Sequence, residues 1–273
     1  MSYLGAAIQM AAGSDKAANL RRADRLIRLA AARGANLAVL PEVFNWRGAR
    51  ADEPAAAEPL DGESLTMISH LARELAIHIV AGSITEYVPD ETRRYNTSVL
   101  FGPDGARIAA YRKIHLFDVD LPGRVTFKES DSKLPGAEVV CAPTALGAIG
   151  LSICYDARFP ELYRRLAFAG AQLITIPSAF TFPTGEAHWD ILIRARAVEN
   201  QAYVIAAAQF GPNVHGFSDY GNSSIVDPWG RVIGRAGDNE GVVVAPIDLD
   251  YLARVRRELP ALANVRLRER GAG

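Results

Sequence analysis

Short runs of apolar residues alternate along this chain with stretches whose apolar positions recur every three or four residues, the pattern of an α/β fold. Residues 3–10 (YLGAAIQM) predict a buried strand. Ser14 is placed to cap a helix whose Leu20, Ala23, Ile27 and Ala30 share one face until Gly34 stops it. The same reading predicts strands at 36–40, 77–84, 95–101, 106–112, 147–153, 172–176, 202–208, 222–227, 231–235 and 241–247. It predicts helices at 63–76, 160–169, 186–200 and 249–258. GPDG at 102–105 and DPWG at 227–230 each join two strand-like runs, so they read as hairpin turns and the sheets as mixed. Residues 51–59 (ADEPAAAEP) read as an exposed loop, and nothing linker-like divides the chain.

RGANLAVLPE at 33–42 and AGAQLITIPS at 169–178 repeat one motif: helix end, glycine stop, buried strand, proline. Two sheets packed face to face with helices outside would bury such strands on both faces, which explains their nearly continuous apolar character. Two unrelated α/β halves would produce the same echo.

The composition narrows the partners. The 273 residues are 49% hydrophobic with mean hydropathy +0.03, enough for a large core. A net charge of -1 and a pI near 6.5 supply no excess of positive charge for nucleic acid or an anionic membrane. The N-terminal segment MSYLGAAIQMAAGSDK has no basic residue before its short apolar stretch, and no run is long enough to span a bilayer, so neither a signal peptide nor a membrane span is expected. Two cysteines, Cys141 and Cys154, allow at most one disulfide, and a reducing, cytoplasmic setting fits. Of the 30 basic residues only four are lysines, at 16, 113, 128 and 133, so a lysine beside an apolar strand marks a role that a guanidinium would not fill.

Cys154 follows the apolar strand ending LSI and precedes a helix that Pro160 and Glu161 suit as its first turn. A side chain on such a strand-to-helix turn is lifted out of the sheet edge beside backbone N–H groups, a setting for a nucleophile with an oxyanion site, although a buried cysteine is also ordinary core. Cys141 has no comparable setting and reads as structural. A thiol nucleophile needs a base, but His70, His78, His115, His188 and His215 read as packed or solvated residues. HExxH, CxxC, P-loop and GxGxxG patterns are absent, so no metal or cofactor is expected. Glu42 and Lys113, like Cys154, directly follow strands, and such charges are costly to bury unless they meet. Three strand ends could bring base, cation and thiol into one cleft. A structural Glu–Lys pair with a bystander cysteine fits the spacing equally.

LPEVFN at 40–45, YRKIHLFDVDLPG at 111–123 and ICYDARFPEL at 153–162 resemble the signatures of the nitrilase superfamily of carbon–nitrogen hydrolases, in the order Glu, Lys, Cys. The likeness continues through 177–209 and 223–233 and so covers nearly the whole chain. It implies one hydrolase domain over residues 1–273 with a tail from about 259. The implied fold is a four-layer α-β-β-α sandwich of two mixed sheets, dimerising to eight layers. It further implies Glu42 as base, Lys113 as transition-state stabiliser, Cys154 as nucleophile and Glu129 as a second glutamate orienting Lys113, with the Tyr155 N–H sharing the oxyanion site. Segments 113–130 and 184–197 are similar to the branch of omega-amidase and deaminated-glutathione amidase, from which Asn222 departs where that branch commonly has histidine. Within it Phe180 and Thr184 resemble pocket residues. Arg158, four residues past the thiol, could hold a substrate carboxylate, or could pair with Glu161.

The expected function is therefore hydrolysis of a small carboxylated amide, releasing ammonia through a thioester. Within the superfamily the alternative is a nitrile or N-carbamoyl hydrolase. Outside it, a Cys–His thiol protease would need His188 beside Cys154, and a non-catalytic binding protein would leave the thiol inert. A homodimer is expected, with helix 160–169 offering Leu162, Leu166 and Phe168 beside Tyr163 and Arg164.

Overall fold

Along the first strand, β1 (Ser2–Gln9), Tyr3 and Ala7 belong to one apolar cluster while Ala6 and Ile8 belong to another. That division by twos is what a strand buried on both faces must show. In this computed structural model, which describes residues 1–123, 125–214 and 216–267, it recurs across a whole sheet. The first half of the chain continues with α1 (Lys16–Ala32), β2 (Leu37–Val39), α2 (Glu53–Ala56), α3 (Glu63–Leu75), β3 (His78–Val80), β4 (Ile84–Glu86), β5 (Tyr95–Phe101) and β6 (Arg107–Arg112). A hairpin, β7 (Asp118–Leu121) and β8 (Val125–Lys128), follows.

The second half holds β9 (Cys141–Thr144), β10 (Gly147–Leu151), α4 (Pro160–Phe168), β11 (Leu173–Thr175), α5 (Phe182–Asn200) and β12 (Tyr203–Ala206). A second hairpin of β13 (Phe210–Pro212) and β14 (Ser218–Tyr220) precedes β15 (Ser224–Val226), β16 (Val232–Arg235), β17 (Gly241–Asp248) and α6 (Leu249–Glu258).

Two mixed sheets result. One runs β17-β1-β2-β3-β5-β4 with β6 also on β5, and the other β16-β15-β12-β11-β10-β9. Each has a parallel centre, β1-β2-β3 or β10-β11-β12, flanked by antiparallel strands. The sheets face each other closely: a Cβ on Gly5 of β1 would stand 2.7 Å from Ile205 Cδ1 of β12. Leu20, Ala23, Ile27 and Ala30 of α1 and Leu65 and Ile68 of α3 pack on the outer face of the first sheet. Leu162 and Leu166 of α4 and Trp189 and Ile193 of α5 pack with the second. This is the expected four-layer α-β-β-α sandwich. The echoed segments are its matching halves, since Gly34 (φ 83°) and Gly170 (φ 95°) end α1 and α4 just before the central strands β2 and β11.

Several local expectations are corrected. Asp15, not Ser14, caps α1, its carboxylate accepting the Ala18 N–H at 2.9 Å. Residues 77–84 form two strand segments, because the chain turns at Gly82 (φ 45°), where any Cβ would stand 1.9 Å from the Pro41 carbonyl oxygen. The segment read as an exposed loop at 51–59 contains α2 and buries Ala56 and Glu58. The helix expected from 186 begins at Phe182. The hairpins β7-β8 and β13-β14 and the strand β9 went unpredicted, being short and only half-buried. Leu162, Tyr163 and Leu166 are buried in the chain's own core and leave Phe168 as the exposed apolar residue of that set. Of the expected tail, residues 268–273 lie outside the described residues, as does His215.

Candidate active site

The parallel strands of both sheets end at one edge, and three side chains leave that edge together. Glu42 lies three residues beyond β2, Lys113 directly after β6, and Cys154 three residues beyond β10. The edge is tied across the sheets by Gln209, whose Nε2 donates to the Glu42 carbonyl oxygen at 2.8 Å. All three side chains line one cavity of about 120 Å³ together with Glu129, Tyr155, Arg158, Phe180 and Thr184. Every residue expected in the site is therefore at this cavity.

The thiol is presented by a strained turn. Cys154 has φ 49°, a left-handed conformation unusual for a residue with a side chain, at the head of a single helical turn over Cys154–Arg158. Its N–H donates to the Pro177 carbonyl oxygen at 2.8 Å, and the Ala179 N–H donates to its sulfur at 3.5 Å. Asp156 fastens the turn. Its buried carboxylate accepts from the Tyr111 hydroxyl at 2.7 Å, the Ile153 N–H at 2.9 Å, the His115 N–H at 3.0 Å and, at 2.8 Å, His115 Nδ1. His115 also stacks on Phe159, with ring centroids 3.8 Å apart. It is a structural histidine, as expected.

Beneath the thiol lies a buried cluster of charge. Lys113 Nζ donates to Glu42 Oε1 at 2.8 Å and to Glu129 Oε2 at 2.9 Å, and all three side chains are almost wholly buried. Burial pulls the Lys113 ammonium down, but Glu129 and Glu42 outweigh it and hold its pKa well above the usual lysine value. Burial pushes Glu129 up. Lys113 and the Phe117 N–H, at 2.7 Å, outweigh that and hold it below the usual carboxylate range. Glu129 is no solvated loop residue. Burial, and then Glu42, push the Cys154 thiol well above the ordinary thiol range even though Lys113 pulls it down.

Arg158 meets no carboxylate among the described residues, so the alternative pairing with Glu161 is not made. Its guanidinium lies 5.3 Å from the Phe180 ring centroid and 5.7 Å from that of Tyr155, with Nη1 3.1 Å from His188 Nδ1. Phe180 packs edge-on to Trp189, and Thr184 Oγ1 lies 2.9 Å from Thr181 Oγ1. His188 thus touches Arg158, and no histidine among the described residues lines the cavity, so the arrangement that a Cys–His protease requires is not built here. No group of three metal-ligating side chains occurs among the described residues.

A family model described as carbon-nitrogen hydrolase matches residues 5–257. The chain belongs to the carbon–nitrogen hydrolase family. This hydrolase is 44% identical over 261 residues to an omega-amidase of Mus musculus, across 96% of its own length and 94% of the relative's. Its fold matches the crystal structure of the C. elegans NitFhit protein with a TM-score of 0.90 at 37% identity, over 97% of this chain and 65% of that one. It also matches a mutant of an amidase from Nesterenkonia sp., whose structure shows acrylamide added to the active-site cysteine, with a TM-score of 0.78 at 28% identity over 94% and 98% of the two chains. Membership bears out the resemblance drawn from the three signature segments.

Sequence reasoning missed several groups at the hydrolase's cavity. Asn96 donates from Nδ2 to Glu42 Oε1 at 2.8 Å and to Glu129 Oε1 at 3.1 Å. Its signal was an asparagine inside a strand, where that residue is uncommon. Arg47 pairs with Asp219, 3.0 Å from Nη2 to Oδ1, and burial pulls its pKa down to about 10 against the opposing pull of Glu42 and Cys154. Lys133 is buried against Glu53 and Thr85. Asn222, where the sequence departs from its branch, lies away from the cavity. It adopts φ 58°, donates to the Tyr220 carbonyl oxygen and accepts from Arg235, so its place is in a turn.

Proposed function

We propose that this hydrolase releases ammonia from a small linear amide bearing a carboxylate, through a thioester on Cys154. The observation that carries the reading is that Cys154, Glu42 and the Lys113 ammonium share one cavity with the Arg158 guanidinium, which meets no carboxylate among the described residues. In the first step the sulfur bonds to the amide carbonyl carbon while Glu42 takes the thiol proton. Two Lys113 hydrogens are held by the glutamates, which leaves the third, with the Tyr155 N–H, to face the oxyanion. Donors of this kind are each worth roughly 3–4 kcal/mol of transition-state stabilisation in other hydrolases. As the tetrahedral adduct collapses, the C–N bond breaks, Glu42 passes its proton to the departing nitrogen, and ammonia leaves. Water then adds to the thioester, Glu42 takes a water proton, the C–S bond breaks, and that proton returns to sulfur as the acid departs. Glu129, fully occupied by donors, holds Lys113 in place.

Arg158, flanked by aromatic rings near the thiol, is suited to two-point contact with a substrate carboxylate. Phe180 and Thr184 shape the wall between. The likeness to an omega-amidase favours α-keto acid omega-amides or deaminated glutathione as substrates. The chain acts as one domain, residues 1–273, in the cytoplasm. No helix among the described residues is long and apolar enough to cross a membrane. It pairs as a homodimer. The exposed Ile191 and Val198 of α5, beside the turn at Trp229 that packs on Val198, offer the second copy its surface, and light scattering at micromolar concentration checks it.

The test of function is ammonia release from deaminated glutathione, α-ketoglutaramate, neutral amides and a nitrile, with mass analysis of the peptide carrying Cys154. Turnover confined to acidic amides and an acyl adduct on Cys154 are expected. Preference for the nitrile, or an adduct on Cys141, would overturn the reading.

A further inference from the structure

Asn96 is the second residue of β5 and is 2% exposed. Its carbonyl oxygen accepts the Lys113 N–H at 2.8 Å, so the backbone already pairs these two residues. Their side chains then meet the same two carboxylates. Asn96 Nδ2 reaches Glu42 Oε1 and Glu129 Oε1, and Lys113 Nζ reaches Glu42 Oε1 and Glu129 Oε2, closing a ring of four groups. Charge fixes the amide's orientation, because the opposite one would set Oδ1 against two carboxylate oxygens. Asn96 Oδ1 meanwhile meets no donor among the described residues. A buried acceptor left unpaired is costly, and a side chain needed only for packing would not carry that cost.

The ring divides the work between the glutamates. Both oxygens of Glu129 are committed, Oε2 twice over through Lys113 and the Phe117 N–H. Glu42 has Oε1 committed to two donors. We infer that Asn96 is a positioning residue: its amide completes a ring that pins Glu42 by one oxygen and leaves the other, Oε2, as the carboxylate oxygen that exchanges the Cys154 proton. Without the amide, Glu42 can turn about its last torsion and offer both oxygens to Lys113, away from the sulfur. The other charged or titratable groups facing Glu42 are Glu129 from the segment after β8, Cys154 from the turn after β10 and Arg47 from its own loop.

This inference rests on Glu42 acting as base, so its test includes a measurement that needs no amide. Asn96→Leu keeps the approximate volume and removes the donors, and Asn96→Asp keeps the shape and replaces donors by an acceptor. Of the two hydrogen bonds lost, the one to Glu42 bears on the base, and losing it predicts a fall in kcat of about 10- to 100-fold for Asn96→Leu, with KM changed by no more than about twofold. Because the lost N–H favours the charged carboxylate pair, the acid limb of kcat/KM moves up by about one pH unit. The limb of Cys154 alkylation by iodoacetamide, followed by peptide mass, moves the same way. Asn96→Asp is slower than Asn96→Leu at pH 8 and recovers toward pH 5, where a protonated Asp side chain again offers a hydrogen.

Unmoved limbs, or a loss of kcat that merely follows a loss of thermal stability, overturn the inference. If the leucine variant does not fold, the aspartate variant carries the test by itself. Should the wild type turn over no amide, the amidase reading fails alone. A shifted alkylation limb that vanishes in a Glu42→Gln background still upholds the ring, and an unshifted one overturns it.

Discussion

The floor of the cavity and its mouth each hold a buried lysine, and their pKa values are displaced in opposite directions. On the floor Lys113 touches two glutamates, which together outweigh burial and raise its pKa. At the mouth Lys133 is as deeply buried but has the single carboxylate of Glu53, itself partly hydrated, so burial wins and its pKa is lowered. The number of carboxylates in contact decides the sign at equal depth. The supporting backbone differs too. The floor stands largely on strand ends knitted across both sheets, whereas the mouth is assembled from α2, Ser132 and Lys133, Arg158 and the two hairpins. Under the proposed mechanism the chemistry falls to the floor and substrate contact to the mouth.

The contrast is broken hardest at the floor. Cys154→Ala and Glu42→Gln are each expected to lower ammonia release by at least about 10⁴-fold, and the double variant by little more, because the groups act as a unit. Near-native turnover in Glu42→Gln would remove it as the base.

Lys113→Met leaves two buried carboxylates facing each other, so at pH 8 chemical denaturation should show a loss of about 3–5 kcal/mol. The variant recovers as pH falls, since protonation relieves the pair. In the wild type the sign is reversed: Glu129, held below its ordinary 4.5, contributes stability above that value and loses it as pH falls through its lowered pKa. Denaturation curves of both proteins at pH 4 to 8 should therefore converge toward acid.

At the mouth, Arg158→Ala should cost about 2–3 kcal/mol in kcat/KM for an acidic amide and little for a matched neutral one, with Arg158→Lys between the two. Equal losses on both substrates would assign Arg158 to architecture. The smallest effect is expected from Lys133→Met, about 1–2 kcal/mol of stability, because the Glu53 left behind keeps contact with water. A loss as large as that of Lys113→Met would erase the distinction between floor and mouth.

The floor was also the legible part of the sequence. Glu42, Lys113 and Cys154 each follow an apolar strand, and a charge in that place has to be explained. Glu129 follows a half-buried hairpin and drew notice through resemblance alone. Asn96 and Asp156 act as donor and acceptor for other side chains, and such service leaves no periodicity to read. The hairpins β7-β8 and β13-β14 escaped because their burial is shallow and their pairing local. Residues 77–84 read as one strand because apolar runs do not record close approach, and only the Pro41 carbonyl explains the turn at Gly82. Arg158 was noticed by position, but its neighbours His188 and Phe180 come from distant sequence.

Burial also raises the pKa of Cys141, so both thiols in the chain are pushed toward the S–H form. Peroxides and related oxidants attack thiolate sulfur. With its pKa held up by burial and by Glu42, Cys154 offers such oxidants less thiolate between turnovers than an ordinary exposed cysteine would.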